Sequence, residues 1–500
     1  MSTVTQATTG GAALALGPIS SDEFSTLLTR EFKPKSDRAK EAVETAVRTL
    51  AEQLIANTAT ISDDAMKTIE GLVAEIDRKL SEQINEILHH EQFRQLEGAW
   101  RGLHYLVNNS ETDEMLKIRA LNISKADLHR TLKKFKGTNW DQSPIFKKLY
   151  EQEYGQFGGE PYGCLVGDFH FDHSPVDVET LREICKICAA SHTPFIAGAS
   201  PTLMQMDSWQ ELSNPRDLTK IFLTAEYAAW RSLRDDEDSR YIGLAMPRFL
   251  ARQPYGAKSN PVAAFAFEED TAGSDHNKFV WANSAYAFAR NVNRSFKLYG
   301  WCSRIRGIES GGSVENLPVH TFPTDDGGVD MKCPTEIAIS DRREAELAKN
   351  GFMPLIFRKN SDFAAFIGAQ SLNKPVEFDD ADATANARLA SRLPYLFATC
   401  RFAHYLKCIV RDKLGSFKEQ GDMQVWLNNW ISQYVETNPA TATELDKSRR
   451  PLAAAEVIVE ADDTNPGYYR AKFFLRPHYQ LEGLTVSLRL VSKLPSAKAA

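Results

Sequence analysis

Five hundred residues with 66 acidic against 59 basic side chains leave a formal charge of -7, which is a poor fit to a protein whose main partner is nucleic acid. The composition, 43% hydrophobic, 10% aromatic and 25% charged, excludes a wholly disordered, collagen-like or membrane-embedded chain, and the length exceeds one comfortable hydrophobic core, so more than one domain is expected. Seven cysteines scattered between Cys164 and Cys408 do not read as a disulfide framework and favour a reducing compartment, the cytosol.

Residues 1–36 read as a flexible arm, rich in Thr, Gly, Ala and Ser over the first 20, with no basic residue before Arg30 and so no secretory signal. No apolar run reaches the ~18 residues that a bilayer span needs, so the chain is not expected to insert into a membrane. Residues 37–110 form a long helical region. Val43, Ala46, Val47, Leu50 and Leu54 recur at helical spacing, and a second start at Ser62, Asp63 and Asp64 leads into Met66, Ile69, Val73, Ile76, Leu80, Ile84 and Ile87, then Phe93, Leu96, Trp100, Leu103 and Val107. The pattern predicts one very long helix or two collinear ones broken near His89 or Gly98. Its apolar stripe packs either on a partner or on its own domain, and both readings stay open.

From 111 to 395 short β-prone runs alternate with helices, which predicts a mixed α/β core with helices covering a sheet. Strands are expected at 116–123, 162–171, 195–199, 241–245 and 336–339, and helices from 124 and over 178–190. The region 396–500 changes character: helices over 396–413 and 425–435 precede three β-like runs at 454–460, 468–476 and 484–491. In the last of these Leu484, Val486, Leu488 and Leu490 share one face and Thr485, Ser487 and Arg489 the other, the pattern of one-sided burial. Amphipathic strands this close to a C-terminus can end on an open edge, which invites a strand from another chain.

Motifs for chemistry are few. Asp168, His170 and Asp172 alternate along a predicted strand with His173 following, the best metal lookalike, and a cytosolic metal-dependent enzyme built on Asp168, His170 and His173 is the alternative functional reading. The structural alternative is an ordinary polar strand end. Cys185 and Cys188 form a CxxC inside an apolar helical pattern, which points to buried thiols. His90 and Glu91 begin an HExxH that fails at Arg94, and no GxxxxGK[ST], GxGxxG or GxSxG occurs. Gly307, Ile308, Glu309, Ser310, Gly311 and Gly312, preceded by Arg304 and Arg306, offer amides to an anion or form a tight turn. Arg401, Phe402, His404, Tyr405, Lys407, Arg411 and Lys413 line a basic and aromatic helix that offers a nucleic-acid face, but its Asp412 and apolar Leu406, Ile409 and Val410 suggest contact with protein instead. Neither a metal nor a cofactor is expected.

Seven strings in register carry a resemblance: HHEQFRQLEGAWRGLHYLV from 89, PFIAGASP from 194, PRFLARQPYG from 247, RSFKLYGWCSRIRGIESGG from 294, KCPTEIAISDRRE from 332, GFMPLIFRKNSDFAAFIGAQS from 351 and RFAHYLKCIVRDKLGS from 401. Together they resemble the large sheath subunit of the bacterial type VI secretion system, the TssC/VipB/ImpC family. The likeness extends more weakly on both sides and leaves out the first 20 residues. It implies a mixed α/β (α+β) core like that of contractile phage-tail sheaths, with N-terminal helices and with C-terminal strands that pair between chains. It further implies a non-catalytic cytoplasmic bacterial protein that pairs with a TssB/VipA-type small subunit and polymerises around Hcp rings. Baseplate components and a ClpV-type ATPase, which mainly grips the small subunit, complete the implied partners. The residues expected at the inter-subunit strands are Tyr469, Phe473, Leu475, Leu484, Val486, Leu488 and Leu490. Those expected against the small subunit are Val43, Val47, Leu50 and Leu54.

Overall fold

The structure, a computed structural model, describes residues 65–214, 217–271, 275–324, 326–413, 420–461, 469–478 and 480, with short helical stretches between 37 and 49. It divides into two units, one of Met1–Leu88 with Tyr255–Asp270 and one of His89–Pro254 with Thr271–Ala500. In the first unit, helix α1 (Ala65–His89) meets the 255–270 loop through Asn85. Its amide donates to the Glu268 carbonyl at 3.1 Å and accepts from the Asp270 N–H at 3.0 Å. Val73, Leu80 and Ile87, seven residues apart, are exposed along α1.

Of the expected alternatives, the break falls beside His89 and not at Gly98: His90, with φ/ψ of -62° and 129°, ends one helix and starts the next. Helix α2 (Glu91–Asn108) belongs to the second unit and is packed by what it lacks. A Cβ on Gly98 would lie 2.4 Å from the Trp281 carbonyl oxygen, and one on Gly102 would lie 2.5 Å from the Tyr286 ring. Only glycine allows that approach. Beside them Glu97 is held by Arg252 and Arg101, each at 2.6 Å.

The second unit is built on a six-stranded sheet. Strand β1 (Leu165–Phe171) leads through helix α4 (Pro175–Ser191) to β2 (Phe195–Ala199), with a shorter helix, α3 (Lys125–Lys134), packed on α4. Then come β3 (Ile242–Met246), helix α5 (Ser284–Tyr299), β4 (Ser313–Val314), β5 (Phe352–Phe357) and β6 (Ala364–Phe366). The spatial order is β1-β2-β3-β5-β6-β4; β1, β2, β3 and β5 run parallel, and β6 runs against both its neighbours. Every residue of β2 and β3 is buried, because helices cover the sheet: α5 lies across β1, β2 and β3, and Leu181, Ile184 and Ile187 of α4 join the same core. The α4 cap follows from sequence, with Ser174 accepting from the Asp177 N–H and Pro175 in the first turn.

Two expected strands are corrected. Residues 116–123 form no strand and join no sheet; they are held by side-chain pairs, Lys117 and Arg119 with Glu153 and Glu160, rather than by a backbone ladder. Residues 336–339 are irregular, since Glu336 is spent on Arg248: its carboxylate accepts from the Arg248 N–H at 3.0 Å and from the guanidinium at 2.6 Å. The strand that does enter the sheet there is β5, interrupted in sequence by Pro354, which pairs with Met246.

Helix α6 (Leu393–Lys413) begins in the sheet's core, through Leu393, Leu396, Phe397 and Cys400, and its second half forms a separate apolar cluster with α7 (Gln420–Ser432) and strands β7 (Leu452–Ala461) and β8 (Tyr469–Pro477). Phe402, Leu406, Leu427, Ile431, Val457 and Val459 are buried in it.

Candidate assembly site

Strands β7 and β8 form a two-stranded antiparallel hairpin, in register from Ala454 opposite Arg476 to Ala461 opposite Tyr469. Alternation sorts its faces. Val457 and Val459 are buried, and Phe473 and Leu475 are half-buried beside them, all against α6 and α7. Glu456, Glu460, Lys472, Phe474 and Arg476 are exposed on the other face. Of the residues expected at inter-subunit strands, Phe473 and Leu475 therefore commit their side chains to their own cluster, and Tyr469 pairs its backbone with Ala461. Leu484, Val486, Leu488 and Leu490 lie outside the described residues.

The main chain of the hairpin is less symmetrical. Val457 and Val459 turn their N–H and C=O groups away from β8, and side chains of α7 meet them. Asn428 accepts from the Val457 N–H at 2.9 Å and donates to the Val457 carbonyl at 2.8 Å. Gln424 accepts from the Val459 N–H at 3.0 Å, and Gln420 donates to the Val459 carbonyl at 2.7 Å. Further along, Leu452 exchanges backbone bonds with Tyr434 and Glu436. In an antiparallel pair, residues opposite outward-facing ones face outward too, so Ala471 and Phe473, opposite Val459 and Val457, point their amides and carbonyls off the far edge of β8, as does Leu475. Among the described residues nothing pairs with that edge. The strand alternation was legible in sequence; the three amides on one face of α7 were not singled out, although their i, i+4, i+8 spacing was there to be read.

After Pro477 the chain is tied down. The His478 N–H donates to the Pro451 carbonyl at 3.1 Å. Gln480 donates its N–H to Tyr395 Oη at 3.0 Å, accepts from Arg306 at 2.8 Å and donates to the Ser303 carbonyl at 2.9 Å.

The other candidates resolve into structure. Asp168, His170, Asp172 and His173 do not converge. Asp168 faces Asn283 and Tyr286, burial pushing its carboxyl up. Burial pushes His170 down to about 3, Asp172 accepts from the Ser174 N–H at 2.8 Å, and His173 stacks on Tyr227 at 4.3 Å. Among the described residues no group of three metal-ligating side chains is assembled. The thiols of Cys185 and Cys188 are buried and raised by that burial. The 307–312 loop is a turn whose amides are engaged, Gly307 N–H by the Phe366 carbonyl at 2.7 Å and Gly312 N–H by the Gly307 carbonyl at 2.8 Å. Gly311 is required there by φ of 92° and by an Arg304 carbonyl 2.2 Å from any Cβ. The basic side of α6 grips protein: Lys407 lies 3.8 Å from the Tyr154 ring centre and donates to Tyr150 Oη at 2.9 Å, and Arg411 donates to the carbonyls of Gln156 and Tyr154. No described helix is long and apolar enough to cross a membrane.

On the helical region, α2 keeps Phe93, Leu96, Trp100 and Val107 exposed, Trp100 at 66%. Val43 is helical and half-buried, and Val47, Leu50 and Leu54 lie outside the described residues.

Comparison with known proteins places these features in one family. Residues 70–373 match the tail sheath N-terminal domain of VipB (EvpB/VC_A0108), and residues 382–494 match its tail sheath gpW/gp25-like domain. The type VI secretion system sheath protein TssC1 of Pseudomonas aeruginosa is 75% identical over 478 residues, 96% of each chain. Among solved structures, the contracted sheath complex of the extracellular contractile injection system PVC aligns with 62% of this chain and 68% of its own at 10% identity and a TM-score of 0.35. The contracted helical sheath of the anti-feeding prophage aligns with 78% and 86% at 12% identity and a TM-score of 0.34. With two family domains matched over most of its length and a relative three-quarters identical to it, the chain belongs to the VipB (EvpB/VC_A0108) family of tail sheath proteins.

Proposed function

We propose that the chain is the large structural subunit of a type VI secretion contractile sheath, which pairs with a small sheath subunit and polymerises in the bacterial cytoplasm into a helical tube around an inner tube of Hcp rings. Contraction of that tube from a metastable lattice drives the inner tube outward, the lattice being seated on baseplate components and recycled by a ClpV-type ATPase. The observation that carries the reading is the outer edge of β8, with which nothing among the described residues pairs, in a member of a tail sheath family. Backbone groups on such an edge gain partners when another chain adds a strand. Because donor strand and acceptor edge are different surfaces, each added copy leaves a fresh pair exposed, and contacts of this kind that fail to close propagate as a helix. The segment 484–491, with its alternating Leu484, Val486, Leu488 and Leu490, is the strand assigned to the neighbouring copy's β8. The exposed stripe of α2 supports packing of the helical region, Val43, Val47, Leu50 and Leu54 included, on the small subunit.

Negative-stain electron microscopy of the chain alone and co-expressed with its small-subunit partner tests assembly. Hollow tubes on co-expression are expected, and discrete particles under both conditions would sink the reading. Ala471→Pro tests the edge itself. It deletes an N–H that points out of the hairpin and costs no bond to β7, so the chain should fold but form no tubes.

A further inference from the structure

A two-stranded hairpin has two outer edges, and here they are treated differently. We infer that Gln420, Gln424 and Asn428 form a built-in substitute strand that closes the β7 edge, so that strand addition by a second copy of this chain is directed to β8 alone. The occupant of β8 rests on the strand-addition reading above; the closure of β7 stands independently of it.

The geometry favours a substitute strand over incidental contacts. Asn428 presents to Val457 one acceptor at 2.9 Å and one donor at 2.8 Å, the pair that a residue of a neighbouring strand would offer. Its second amide hydrogen goes to the Gln424 carbonyl of its own helix at 3.0 Å, which fixes the side chain's orientation. Gln424 and Gln420 divide the same two roles for Val459. The spacing matches as well. Four helical residues advance about 6 Å and two strand residues about 6.8 Å, so Gln424 and Asn428 keep step with Val459 and Val457, and Gln420 completes the pair at Val459. Leu427 and Ile431, buried in the hairpin's cluster, hold the helix in that position. Being part of the same chain, the cap competes with any incoming strand at high effective concentration.

Among the described residues β8 has no such cap, and nothing there pairs with the outward amides of Ala471, Phe473 and Leu475. The strand assigned to them is residues 484–491 of a second copy. Gln480 is held by Tyr395, Arg306 and Ser303, and the chain's own segment beyond it is the competing occupant that the test separates from a second copy.

Hydrogen exchange at single-amide resolution tests this on the full chain, soluble and unassembled, and in tubes formed with the small subunit. In the unassembled chain Val457 and Val459 should exchange at least about tenfold more slowly than Ala471, Phe473 and Leu475. On assembly those three should become protected. Gln424→Met, which keeps the shape of the side chain and loses the acceptor, should speed Val459 about tenfold and leave Val457 unchanged. Gln424→Ala with Asn428→Ala should release both and produce side-by-side association of the unassembled chain. Val457 and Val459 exchanging as fast as the β8 amides would overturn the cap. A protected β7 with β8 amides unchanged on assembly would overturn strand addition and leave the cap standing. Protection of β8 already present in a monomeric chain would assign the edge to the chain's own tail and overturn the second-copy occupant.

Discussion

The six-stranded sheet and the C-terminal hairpin meet the same requirement by opposite means. In the sheet, β2 and β3 are buried on both faces, their ladders run to neighbours on either side, and helices from the same chain provide the cover. The hairpin buries one face and exposes the other; side chains of α7 meet Val457 and Val459 on one edge, and nothing among the described residues pairs with the other. A region that completes its own hydrogen bonds acts as a scaffold, and a region that leaves them incomplete acts as a joint. The two should separate under perturbation.

The largest effect is expected at the centre of the sheet. Leu244→Ala in β3 empties a fully buried site flanked by ladders on both sides and should cost about 3–5 kcal/mol in chemical denaturation. Leu427→Ala, in the hairpin's cluster, should cost about 2–4 kcal/mol and act locally. Hydrogen exchange should show opening of 420–477 with the β2 and β3 amides unchanged; loss of protection in both regions would mean that they form one cooperative unit.

Acid should weaken the scaffold through its buried neutral histidines. His170 is pushed down to about 3 and His404, bonded to the Ser191 carbonyl at 2.9 Å, to about 4, both chiefly by burial. The unfolded chain binds those protons near pH 6.5 and the folded chain does not. Their contribution is therefore intact above that pH and is lost as pH falls toward 4, at up to about 1.4 kcal/mol per pH unit for each histidine. His404→Gln should flatten that slope in a pH series of denaturation curves. The smallest effect is expected at Phe474, which is 55% exposed: Phe474→Ala should change the stability of the unassembled chain by less than about 0.5 kcal/mol.

Much of the scaffold was legible in the residues. The apolar runs FIAGA and IGLAM read directly as buried strands, the pattern over 178–190 placed most of α4 and missed its start at Pro175, and the stripe through 66–107 placed the long helices while leaving their break open between His89 and Gly98. Strand β5 was obscured by Pro354, and α5 by a mixed pattern in which Asn291 and Ser295 are buried along with its alanines. The false strand at 116–123 has the right alternation and lacks a neighbour, which local sequence cannot reveal. At the assembly site, alternation identified the β7 and β8 strands but not which edge α7 would meet, because that depends on which groups α7 brings alongside.

What the sequence determined by itself is what short-range physics governs: helical and strand periods, caps, the lack of a phosphate-loop signature, and a family likeness carried by seven long strings. What only the tertiary structure decided is which of these segments meet. Asp168, His170 and His173 look like ligands along a strand, yet each finds a different neighbour in space. Gln420, Gln424 and Asn428 look like ordinary surface amides, yet the packing of Leu427 and Ile431 sets them against a bare strand edge. The physical reason is the same in both cases: a hydrogen bond depends on distance and direction between groups far apart in the chain, and only the packed core sets those.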